Sequence, residues 1–201
     1  MSKPQRIITL CLWSLLLLTM VGVVTAKFIL PHFTKTPTPD VLYAAGTFTL
    51  TDQNGATFSS DSLRGKTYVA SFMFTSCNGI CPRMNGVMAR LQRELPPDVQ
   101  LVSFTVDPDT DTPAKLKEYA GNLGADPNRW HFLTSTEKQK LLDAAKGMNL
   151  PYMDWPAAHS NRILLVDRAG NVRGAYPSTE DDQVEKLVAA AKVVAAEGGG
   201  K

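Results

Sequence analysis

Tyr68-Val69-Ala70-Ser71-Phe72-Met73-Phe74-Thr75-Ser76-Cys77-Asn78-Gly79-Ile80-Cys81-Pro82 is the stretch on which the fold turns. Its first seven residues form an almost unbroken apolar run, the pattern of a strand buried on both faces. Downstream, Met84, Val87, Met88, Leu91 and Leu95 recur on one stripe, so a helix follows. Pro82 suits the helix start, where its missing N–H has no helical partner. Gly86 weakens that helix slightly without ending it.

Outward from this stretch, strand and helix signals alternate. Phe48-Thr49-Leu50-Thr51 reads as a strand, and Asn54-Gly55 is a hairpin-turn signal. Residues 99–106 are a second buried strand, and Thr112-Pro113 supplies an N-cap and first position for a helix through Tyr119. A short strand at 130–133 precedes a helix at 137–146 closed by Gly147. Residues 162–166 and 171–176 form a hairpin around Asp167-Arg168-Ala169-Gly170, and 181–195 is the last helix. The class is α/β. A strand that feeds two cysteines into a helix start is the thioredoxin-like arrangement, with a central mixed sheet flanked by helices.

The chain has 201 residues and a net charge of +2, with no block of like charge, so nothing points to nucleic acid as a partner. Residues 7–26 are uncharged and mostly apolar, long enough to predict one N-terminal transmembrane helix. Lys3 and Arg6 precede it, which by the positive-inside bias leaves the N-terminus cytoplasmic. The expected location is therefore the bacterial inner membrane, single-pass, with a periplasmic domain. Val24-Thr25-Ala26 resembles a cleavage site, but signal-peptide apolar regions are usually shorter. The expected organisation is an anchor at 1–30, an extended linker at 31–45, the thioredoxin-like domain at 46–195 and a flexible tail at 196–201.

Cys11 falls inside the apolar segment and reads as a small hydrophobe. Cys77 and Cys81 are four residues apart at a strand-to-helix junction, so their thiols face one side of the first turn. A helix N-terminus favours negative charge and promotes thiolate, which is both nucleophile and metal ligand. The pair can be a disulfide, a metal pair, or both in turn. A purely structural disulfide gains little from closing so short a loop. Thiolates select soft ions such as Cu(I) or zinc, and two sulfurs call for a third ligand. His32 lies in the linker, which leaves His131 and His159. Strand alternation can point His131 at solvent, and a loop histidine such as His159 is unremarkable on position alone.

The chain resembles the Sco/SenC family of copper chaperones for cytochrome c oxidase assembly. Phe48 to Gly55 and Leu63-Arg64-Gly65-Lys66 carry the first part of the likeness. Phe74-Thr75-Ser76-Cys77-Asn78-Gly79-Ile80-Cys81-Pro82 is similar to the family's F-T-x-C-x-x-x-C-P. Ser103 to Pro108 with Asp111-Thr112-Pro113 matches its second block, and His159-Ser160 with Leu165 to Gly174 its third. The resemblance implies Cys77, Cys81 and His159 as copper ligands, for Cu(I) and/or Cu(II). Asn78 stands where the family usually has Pro, and Ala158 where it often has Asp, a neighbour able to orient a ligand. Asp107 and Asp111 read as loop and helix-start polar residues. Met84 and Met88 read as core rather than copper contacts.

The implied function is a membrane-anchored metallochaperone delivering copper to the binuclear copper site of cytochrome c oxidase. Its implied partners are the oxidase copper-site subunit and a thiol reductant or second copper chaperone, with the anchor in the inner membrane. The alternative is a thiol–disulfide oxidoreductase in which Cys77 and Cys81 are the redox-active pair. A peroxidase reading rests on Arg83 beside Cys81 and is thinner.

Overall fold

The computed structural model describes residues 3–28, 37–149 and 160–197. The chain divides into two compact units, Met1–Pro37 and Thr38–Lys201.

The first unit holds helix α1 (Lys3–Phe28). Among the described residues no helix is long and apolar enough to cross a membrane. The transmembrane helix expected within 1–30 is corrected accordingly. The apolar run of α1 is interrupted by Ser14, Thr19, Gly22 and Thr25. The Thr19 hydroxyl turns back onto the Leu16 carbonyl at 2.9 Å. The anchored form of the function, the inner-membrane partner and the single-pass inner-membrane location with a periplasmic domain all rested on that span, and they are corrected with it.

The second unit is a mixed sheet with helices on both faces. Among the described residues its strands are β1 (Tyr43–Ala44), β2 (Thr49–Asp52), β3 (Thr57–Ser59), β4 (Tyr68–Met73), β5 (Gln100–Thr105), β6 (Trp130–Thr134), β7 (Arg162–Val166) and β8 (Asn171–Pro177). Their order is β1-β8-β7-β4-β5-β6-β2-β3. β4, β5 and β6 run parallel, and the outer strands pair antiparallel. The helices are α2 (Cys81–Glu94), α3 (Pro113–Asn122), α4 (Lys138–Gly147) and α5 (Asp181–Ala196). The thioredoxin-like mixed sheet flanked by helices is thus present.

β4 and β5 are buried at every position, as their apolar runs require. Alternation then sorts their side chains between two cores. Val69, Met73 and Leu101 pack with Met84, Met88 and Leu91 of α2, Leu116 of α3 and Leu187 of α5. Ala70, Phe72, Val102 and Phe104 pack with Phe48, Leu50 and α4 residues Leu141, Ala144 and Ala145. Met84 and Met88 are fully buried in the first core, which agrees with their helical spacing. Ser71 and Ser103 would be liabilities there, but their hydroxyls bond each other at 3.0 Å and Trp130 Nε1–H donates to Ser103 at 3.0 Å.

Thr112 caps α3 by accepting the Lys115 N–H, with Pro113 opening the helix, as the sequence indicates. Gly147 is the last residue of α4 and has a different task from the one its position suggests. A Cβ on Gly46 would sit 2.8 Å from the Gly147 Cα, so both residues must be glycine for the two backbones to touch.

At the β7–β8 turn, Asp167 accepts the N–H groups of Ala169 and Asn171. It also pairs with Arg173 at 3.1 Å, with each side chain exposed over a tenth of its area or less. Arg173 reaches on to Glu197 and to the Pro39 carbonyl, tying both ends of the unit to the hairpin. Burial opposes the charge on Asp167, yet the Asn171 N–H, Arg173 and Ala169 outweigh it and lower its pKa. The folded value lies below the unfolded one, so this stability is present above the unfolded value and is lost as pH falls through the folded value. Asp167→Asn is expected to cost about 3 kcal/mol at pH 7 in urea unfolding. The gap to the parent should narrow below about pH 4. A gap unchanged at pH 3 would show that the carboxylate charge contributes nothing.

Candidate functional site

The loop between β4 and α2 carries the cysteines at the C-terminal edge of the central parallel strands, where α/β sheets place their sites. Cys81 is the first residue of α2. The N-cap residue, Ile80, has helical backbone angles and offers no side-chain cap. The N–H groups that a helix start leaves unpaired therefore need another acceptor. The Cys77 sulfur serves, receiving the backbone N–H groups of Cys81, Gly79 and Ile80.

Both cysteines are free thiols and buried, Cys77 at 7% exposure and Cys81 at 0%. Their electrostatics differ. Burial alone raises the Cys77 thiol, but the hydrogen bond from the Cys81 thiol and the three backbone N–H groups outweigh it and hold it below an ordinary thiol. Burial pushes the Cys81 thiol up to about 12, helped by the same bond to Cys77, with Asp111 adding to the rise. One sulfur is thus disposed to ionise and the other holds its proton, shared across the pair.

The surroundings are shaped by the loop that follows β5. Asp111 is fully buried. Its carboxylate accepts the Thr75 N–H at 3.1 and 3.3 Å and also the hydroxyls of Thr75 and Thr105. One turn into α2, the buried Asn85 donates to the Tyr119 hydroxyl at 2.8 Å. The Arg83 guanidinium turns away to the Ser178 and Thr179 carbonyls and to Asp181, which leaves the peroxidase reading without its arginine.

The structure brings Cys77 and Cys81 together. His159 lies outside the described residues, as does His32. His131 is half-buried on β6, with its ring 4.6 Å from that of Phe58. It lines a cavity of about 230 Å³ with Lys66 and Gln100, beside the N-terminal end of β5 and so at the opposite edge of the sheet from the cysteines. Burial lowers its pKa. No group of three His, Cys, Asp or Glu residues able to hold a metal ion is present among the described residues. Two soft sulfur donors fit Cu(I), and the described residues supply no third ligand beside them.

Asp111, which the sequence reads as a loop and helix-start polar residue, is instead fully buried, and Asn85, buried on α2, carries no sequence reading at all. An aspartate immediately before a Thr-Pro helix start is ordinarily a solvated turn residue. The one available signal was the pair of threonines, Thr75 and Thr105, ending two adjacent apolar runs. Asn85 offered a weaker one, as a polar residue beside Met84 on an apolar helix.

Iodoacetamide at pH 7.5 is expected to alkylate Cys77 at least about tenfold faster than Cys81, because the thiolate is the reacting form. Peptide mapping of a time course measures it. The rate on Cys77 should titrate with a midpoint below the ordinary thiol value of about 8.5. Equal rates at the two sites would refute the division of roles.

The SCO1/SenC family model matches residues 37–195. A SCO1 protein homolog of Bacillus subtilis is 31% identical over 158 residues, covering 75% of this chain and 82% of that protein. The solved structure of BsSco, described as a member of the Sco family of cytochrome c oxidase assembly proteins with a disulfide switch, has a TM-score of 0.69 at 31% identity, covering 78% of this chain and 96% of that one. The copper-bound ScoI of Bradyrhizobium japonicum has a TM-score of 0.61 at 26% identity, covering 75% and 99%. With most of the second unit matched and the cysteine loop inside the match, the chain belongs to the SCO1/SenC family.

Proposed function

We propose that this chain binds copper in a Sco/SenC-type role in cytochrome c oxidase assembly, with Cys77 and Cys81 as the sulfur donors. The observation that carries the reading is the reduced, buried thiol pair at an uncapped helix start, whose N–H groups stabilise negative charge on Cys77. Family membership supports a copper-binding role, and a Sco homologue is known with copper bound. Ionised sulfur suits Cu(I). His159 is the proposed third ligand. An imidazole would complete a trigonal site and extend it to Cu(II), which favours nitrogen more than Cu(I) does.

A second reading, thiol–disulfide exchange by the same pair, is favoured by the unlike thiols. A sulfur held low attacks or leaves readily, and a neighbour held protonated can resolve the mixed disulfide once it loses its proton. BsSco, with its disulfide switch, is a relative in which the disulfide matters.

Competition titrations with Cu(I) and Cu(II), run beside a disulfide-reduction assay, test both readings. Cys77→Ser and Cys81→Ser should each abolish copper binding and disulfide reduction. His159→Ala should weaken Cu(II) at least about tenfold more than Cu(I), and leave disulfide reduction intact. Unchanged binding of both ions in His159→Ala removes His159 from the site. A parent protein that reduces disulfides and binds neither ion decides for exchange over copper.

A further inference from the structure

Asp111 is a buried acid with no cationic side chain paired to it among the described residues. Placing a carboxylate in such surroundings is costly unless donors satisfy it. Here the donors are few and specific: the N–H and hydroxyl of Thr75, and the hydroxyl of Thr105. Thr105 is itself fixed, because its oxygen accepts the Asp107 N–H at 3.0 Å. With one lone pair so occupied, its hydroxyl proton points to Asp111. All the groups facing the acid therefore donate, and the position demands a side chain that only accepts.

The consequence runs through Thr75 to the sulfurs. Thr75 is two residues before Cys77, and the Cys77 N–H bonds back to the Phe74 carbonyl at 3.3 Å. Asp111 itself is held from the β5 side, its N–H bonded to the Asp107 carbonyl at 2.8 Å. The acid thus clamps the start of the cysteine loop to the neighbouring strand's exit.

We propose that Asp111 is the positioning residue of the thiol pair: by holding Thr75 it sets the loop geometry in which Cys77 and Cys81 face each other. Its bearing on copper binding rests on the copper reading above, whereas its role in thiol geometry does not. Asn at this position cannot serve, because its amide group would turn a donor toward the Thr75 and Thr105 donors.

The test measures two quantities on the parent, Asp111→Asn, Thr75→Ser, Thr75→Val and Asp167→Asn. One is the equilibrium constant for exchange with glutathione, in which two chain thiols become one disulfide as one glutathione disulfide becomes two thiols. The other is Cu(I) affinity by competition. Asp111→Asn and Thr75→Val should shift the exchange constant at least about tenfold, about 30 mV for a two-electron couple. Thr75→Ser keeps both donors and should match the parent. Asp167→Asn, destabilised at the opposite edge of the sheet, should also match it. Parent-like exchange in Asp111→Asn overturns the proposal, and so does an equal shift in Asp167→Asn, which would reduce the effect to general stability. If the parent binds no Cu(I), the copper reading fails, and the exchange constants still decide the role of Asp111.

Discussion

The parallel pairing of β4 with β5 is the constraint from which the site follows. Six residues of each strand pair in register, from Tyr68 with Gln100 to Met73 with Thr105. Parallel strands end at the same edge, so the loop bearing Cys77 and the loop bearing Asp111 must emerge side by side. An antiparallel pairing of the same two segments would put them at opposite ends of the molecule. The link continues past the strands, since the Val106 N–H still bonds to the Met73 carbonyl at 2.8 Å. The two apolar cores on either side hold this pair fixed, and they do so with side chains that have no part in the chemistry.

Charge at the site is balanced locally rather than by ion pairs. The start of α2 lacks a side-chain cap, and a sulfur takes the N–H groups that a serine or aspartate would otherwise take. A cap of that ordinary kind would have stabilised the helix by about 1 kcal/mol and left Cys77 an unactivated thiol. Behind the pair, Asp111 is satisfied by threonines rather than by a lysine or arginine. Burial is what chiefly raises the Cys81 thiol, helped by its bond to Cys77, and the carboxylate adds only a small part of the rise. Where the fold needs strength instead, at the β7–β8 turn, it uses a buried ion pair with a further carboxylate and a carbonyl.

Much of the fold was legible in order and kind. The unbroken apolar runs at 68–74 and 99–106, the Thr112-Pro113 helix start and the methionine stripe of α2 all read directly, because period and capping are local properties. The strand order was not legible. Nothing local states that β2 crosses to pair with β6, or that Tyr43 and Ala44, in the stretch read as linker, pair with Val172 and Asn171. The N-terminal segment shows the opposite failure. Its composition suggested a membrane span, but no described helix is long and apolar enough for one.

By itself the sequence determined that two cysteines stand at a helix start fed by a buried strand, and that their family resemblance is to Sco/SenC proteins. Spacing and helix geometry suffice for the first, and linear motifs for the second. Only the tertiary structure decided that the two thiols are unlike, that Gly147 is needed for contact with Gly46, and that Asp111 faces inward onto Thr75 rather than outward into water. These depend on burial and on donors contributed by segments distant in sequence, 36 residues apart in the case of Asp111 and Thr75. Desolvation and hydrogen bonding act through space, so a residue's charge state and its partners become defined only when the sheet has placed its neighbours.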